Sequence, residues 1–142
     1  IAYTTNKKLK VSEVFNLKAP SQPLVFARVR DLESSEINSV SYNTLRDVIV
    51  PVTQIIEGDD PSAPDFQILV DQEVVQKGAR GVQTVYSFSI DDKEQTINQT
   101  SLMSNDRTTM YIFVVRCTTE CYAKNKKKIE EIVSSFTVEG AR

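Results

Sequence analysis

The chain has no histidine and no tryptophan, and only two cysteines and four glycines among its 142 residues. Without histidine there is no Ser-His-Asp or Cys-His nucleophile pair, no imidazole general base and no zinc site of the Cys/His kinds. Two cysteines cannot fill a four-ligand zinc shell, and Cys117-x-x-x-Cys121 is not the Cys-x-x-Cys redox spacing. Long apolar runs are missing too. The longest, Met110 to Val115, falls far short of the roughly 20 residues a membrane-spanning helix needs, so membrane association is expected to be peripheral at most. Charge of one sign is also lacking: 17 Lys plus Arg face 19 Asp plus Glu, a net charge of -2. That balance offers no broad footprint for phosphate backbones, and nucleic acid is not an expected partner. The sequence opens on Ile1 with no apolar leader, which reads as a processed or excised chain.

What is present is enough for one core. Hydrophobic residues make up 40% and charged residues 25%, with the apolar ones spread along the chain. Residues 1–23 mix lysines and small polar residues with Pro20 and Pro23, and read as an extended arm with one short strand near Leu9 to Val14. Residues 24–142 read as a single domain. From Leu24 to Arg30 the period of two predicts a strand, Glu33 to Glu36 a turn, and Ile37 to Tyr42 the returning strand of a hairpin. Leu45, Val48, Ile49, Val52, Ile55 and Ile56 have helical spacing with Thr44 as N-cap. Pro51 interrupts it, which leaves a short helix from Pro51 to Glu57.

Phe66, Ile68, Val70 and Val74 alternate toward a turn at Gly78 to Gly81; Val82, Thr84, Tyr86, Phe88 and Ile90 then share one face of a strand. Asp91 to Lys93 turns the chain into a more polar strand, Glu94 to Met103. Asn105-Asp106 turns it again into the most apolar one, Met110 to Val115. This is an antiparallel meander. Ile129, Ile132, Val133 and Phe136 then fall at i, i+3, i+4 and i+7 as the buried stripe of a C-terminal helix, with Lys126, Lys127, Glu130 and Glu131 outside. The order argues for an α+β fold with helices packed on the sheet.

Three segments carry a likeness. The strand that begins Gly78-Ala79-Arg80-Gly81-Val82-Gln83-Thr84-Val85-Tyr86-Ser87-Phe88, the run Tyr111 to Val115, and the helix Ile129 to Val138 with its Ser135-Phe136 pair together resemble the PsbP family of thylakoid lumen proteins. The resemblance spans about Phe66 to Val138, with an echo in Val25 to Tyr42. The family's tryptophan near the last helix is replaced around Tyr122, and its N-terminal glycine-flanked aromatic motif is not recognisable. The resemblance implies an α-β-α sandwich, a central antiparallel sheet flanked by helices. It also implies a location in the chloroplast thylakoid lumen and non-enzymatic work on the binding, assembly or stability of a photosystem.

Cys117 and Cys121 are disulfide candidates: if Thr118 to Glu120 form a turn, their Cα atoms can approach within bonding range, and a bridge would pin strand to helix. Two unrelated thiols, or a redox-regulated pair, are the alternatives. Lys124, Lys126, Lys127 and Lys128 are either a solvated helix face or a salt-sensitive docking patch for an acidic partner. Asp59, Asp60 and Asp65, and Asp91 with Asp92, could chelate calcium, but they lack EF-hand spacing; ordinary turn chemistry is expected, with no metal or other cofactor. The sequon Asn98-Gln99-Thr100 lies in a predicted strand and is given no weight. Tyr86, Phe88, Tyr111 and Phe113 could line a cavity between adjacent strands, though core is the expected role.

Overall fold

A computed structural model describes residues 2–3, 21–35, 37–48, 66–90 and 92–138. Its strands are β1 (Ala2–Tyr3), β2 (Leu24–Asp31), β3 (Gln67–Val75), β4 (Ala79–Ile90), β5 (Lys93–Ser104) and β6 (Thr109–Thr118). Its helices are a 3₁₀ turn (Ile37–Ser39), a five-residue α1 (Tyr42–Arg46) and a sixteen-residue α2 (Thr119–Ser134). The sheet order is β1-β2-β6-β5-β4-β3, and every pairing is antiparallel except that of β1 with β2. The expected meander is therefore β3 to β6. The predicted strand near Leu9 to Val14 and the helix from Pro51 to Glu57 lie outside the described residues.

The α+β reading holds, but the sandwich flanked by several helices does not. One long helix packs on the sheet, and among the described residues the opposite face carries only α1 and the 3₁₀ turn. The predicted returning strand from Ile37 to Tyr42 is absent as well, because β2 pairs instead with β6, placing Leu24 opposite Arg116 and Asp31 opposite Thr109. α1 starts one turn before the predicted cap. Ser41 is its N-cap, with Thr44 N–H donating to Ser41 Oγ (3.3 Å) and Ser41 N–H donating to Thr44 Oγ1 (3.1 Å), a reciprocal capping box.

The predicted turn at Gly78 to Gly81 is displaced too. Gln76 N–H closes it onto Ala79 O at 2.8 Å, and Gly81 already lies in β4. A Cβ at Gly81 would stand 1.9 Å from the Ser101 carbonyl oxygen of β5, so a glycine is required by close approach of strands rather than by a turn. In β3 a register irregularity between Ile68 and Val70 breaks the alternation. Phe66 and Ile68 accordingly pack with Tyr86 on the α1 face, whereas Val74 joins the opposite cluster.

Both faces of the central strands are covered. Under α1, Leu45 (1% exposed) sits with Val82, Tyr86, Ile97, Ile112 and Val114. Gln99 fastens the short helix to the sheet: it accepts from Tyr86 OH (2.9 Å), and its Nε2 donates to the carbonyl of Arg46 (2.9 Å), one of the helix-end carbonyls that lack an intrahelical donor. Two bonds to β3 add to this, Arg46 Nε to Asp71 at 2.9 Å and Tyr42 OH to Glu73. On the other face, α2 lays Ile129, Val133 and Cys121 onto Val85, Phe113, Val115 and Cys117.

Candidate functional site

α2 grows directly out of β6. Thr118 caps it, its Oγ1 accepting from Cys121 N–H at 3.1 Å, so Thr119 and Glu120 belong to the first helical turn and not to the turn expected between the cysteines. Cys117 and Cys121 nonetheless join in a disulfide, with Cα atoms 5.8 Å apart, because the penultimate residue of β6 and the first helical turn face the same interior. Both are buried, at 0% and 4% exposure.

The helical repeat divides the four lysines. Lys124, Lys127 and Lys128, at i, i+3 and i+4, surround a shallow hollow on the outer side together with Asn125 and Glu131. Lys124 makes a long, largely exposed contact with Glu120, 3.8 Å. Lys126 points the other way, to the rim of a groove beneath α2. The four candidate lysines are thus divided, three on the outer side of α2 and one at the groove.

That groove, about 890 Å³, lies between α2 and the β3–β4–β5 half of the sheet. Its floor is a run of side-chain amides. Gln72 Nε2 donates to Gln83 Oε1 (2.6 Å), Gln83 Nε2 to Asn98 Oδ1 (3.1 Å), and Asn98 Nδ2 to the phenol oxygen of Tyr122 (3.2 Å), linking the edge strand to the helix. Burial holds the Tyr122 phenol above its ordinary pKa, with Glu130 adding to the shift and the Asn98 bond opposing it. Beside Asn98, Thr100 is 4% exposed and its Oγ1 has no hydrogen-bond partner among the described residues. The far wall is fixed by Gln76, whose Nε2 donates to Phe136 O (2.9 Å) and whose Oε1 accepts from Val138 N–H (2.7 Å). Strand β3 leaves Leu69 (54%) and Val70 (38%) exposed along this side.

Sequence reasoning did not find this groove. Its signal was β5, a twelve-residue strand rich in Thr, Asn and Gln between two apolar strands, buried without a break from Gln95 to Ser104. A polar strand in the middle of a sheet needs partners on both faces, and those partners build the site. The aromatic cavity, by contrast, is not formed. Tyr86 and Phe88 lie on β4 and Tyr111 and Phe113 on β6, separated by β5 and facing opposite sides. The first pair stacks with Phe66 (5.4 Å and 6.0 Å between ring centres), while Phe113 stacks with Phe136 (4.7 Å). Of the calcium candidates, Asp92 is exposed in the β4–β5 turn at φ 65°, and the other four lie outside the described residues. Asn98, the sequon residue, is 1% exposed. No described helix is long and apolar enough to cross a membrane.

The fold these elements define is an antiparallel sheet with one long helix across it. No protein-family model matches the chain, and no curated protein matches it. Among solved structures it is similar to PA94, a Pseudomonas aeruginosa protein of unknown function, at 11% identity and a TM-score of 0.49. The match covers 63% of this chain and spans 61% of that one.

Proposed function

We propose that the chain is a non-enzymatic docking protein that binds an acidic partner surface through the outer side of α2. The observation that carries this reading is the triad Lys124, Lys127 and Lys128 around one exposed hollow, on a helix whose opposite side is locked to the sheet. Three like charges carried by a helix that is fixed to the sheet are suited to steering a partner of opposite sign. Following the resemblance to the PsbP family, the partner is a photosystem complex of the thylakoid lumen, which the protein binds and helps to assemble or stabilise.

The test is retention of detergent-solubilised thylakoid complexes on the tagged protein. Raising ionic strength shortens the screening length from about 10 Å at 0.1 M to about 3 Å at 1 M, so one complex should be retained at low salt and released at high salt. The variant with Lys124, Lys127 and Lys128 all changed to Glu should lose it even at low salt. Retention indifferent to both changes, or no specific complex retained, would overturn the reading.

A second reading, a thiol/disulfide redox protein, is favoured by the Cys117–Cys121 bond. Exchange requires a thiolate to reach one sulfur, and both cysteines are buried, which speaks for a structural pin. Rapid reduction of the folded protein by dithiothreitol, followed by alkylation at Cys121, would reverse that preference.

A further inference from the structure

The groove on the inner side of α2 is a separate site. We propose that it binds an uncharged, amphipathic small molecule bearing a carbonyl oxygen. Its volume, about 890 Å³, falls within the roughly 300–1,000 Å³ usual for small-molecule pockets. Val74, Val85, Val133 and Phe136 give it apolar walls.

The polar groups specify the ligand. Tyr122 OH accepts from Asn98 Nδ2, so its own hydrogen remains to be donated; Thr100 Oγ1 has neither a donor nor an acceptor among the described residues. The Tyr122 hydroxyl on the helix wall and the Thr100 hydroxyl sealed just beneath the floor each have a hydrogen to give; a small side-chain shift that brings Thr100 to a ligand carbonyl would relieve the cost of burying it unmet. The amide chain from Gln72 to Tyr122 and the Gln76 clasp hold this floor and wall in place before anything binds. Charge is confined to the rim. Lys126 and Glu130, four residues apart and both exposed, oppose each other there, so a charged ligand would surrender hydration without gaining a counter-ion inside.

The probe for the test is prodan, a neutral naphthalene ketone whose emission shifts to the blue in dry surroundings. Titration into the purified chain should give saturable, one-to-one binding with a blue shift. Thr100→Val and Tyr122→Phe should each weaken binding about fivefold to tenfold, the loss expected for one buried hydrogen bond. Ala123→Trp, at an exposed groove-lining position, should abolish binding while leaving the helix and sheet content read by far-ultraviolet circular dichroism and the melting midpoint unchanged. The anionic dye 1-anilinonaphthalene-8-sulfonate should bind at least tenfold more weakly than prodan. Absence of saturable prodan binding, binding that survives Ala123→Trp, or tighter binding of the anionic dye would each overturn the proposal. No partner complex enters these measurements, so they stand apart from the docking test.

Discussion

Helix α2 lies across a sheet wider than itself, and the two halves of the face beneath it are built differently. Over β6 and β2 the interface is dry: Ile129 and Val133 meet Phe113, Val115, Val25 and Ala27. Over β4 and β5 the same helix packs on Val85 but otherwise faces the polar side chains of Gln83, Asn98 and Thr100 across a groove. Width explains the contrast. A helix with its side chains is about 10 Å across and strands are spaced about 4.8 Å apart, so one helix seals little more than two strands. Where cover ends the side chains must satisfy one another, and the Gln72–Gln83–Asn98–Tyr122 chain does so. The dry half holds the molecule together, and the open half is left able to bind.

The largest effect should come from the dry half. Ile129 is fully buried, and Ile129→Ala should cost about 2–5 kcal/mol in urea unfolding, through lost transfer energy and the cavity left behind. A loss below about 1 kcal/mol would mean that this half collapses around the gap and is not tightly packed. Next comes the pin between strand and helix. Replacing Cys117 and Cys121 together by Ala should cost about 2 kcal/mol, since the closed loop is short and little unfolded-state entropy is removed by it. An unchanged denaturation midpoint would show that helix packing alone fixes the junction.

A change in the open half should be smaller and of the opposite sign. Thr100→Val keeps the shape and removes an unpartnered hydroxyl, so stability should stay level or rise by up to about 1 kcal/mol. A loss larger than that would show the hydroxyl to be satisfied in solution and would erase the distinction between the halves. The smallest effect concerns Tyr122, which stands at their boundary. Its folded pKa is raised, chiefly by burial, so its contribution to stability is complete below the unfolded value of about 10 and is lost as pH rises through the folded one. Ultraviolet titration should place its ionisation above that of an exposed tyrosine. Asn98→Leu, which removes the one bond that lowers it, should move it further upward.

Legibility followed the same division. The apolar stripe of α2 was read directly from its spacing, since Ile129 and Val133 are the residues that seal the dry half. The groove was not, because Asn98 and Thr100 look like solvent-facing positions until β5 is known to be central. The four lysines were seen, but their division into a triad and a lone rim residue follows from the helical repeat in its final orientation. Alternation misled at β3, where the irregularity after Ile68 turns Val70 and Val74 to the other face.

Composition by itself determined the absence of imidazole chemistry, and periodicity the α+β class, an antiparallel meander of three or four strands and the C-terminal helix, because a period depends only on residues near one another in the chain. Tertiary structure alone decided that β2 lies beside β6, that the polar strand is buried, and that Tyr122 closes an amide chain begun at Gln72. A period of two tells which side chains share a face but not which strand is the neighbour. The groove exists only because one helix is narrower than the sheet it covers.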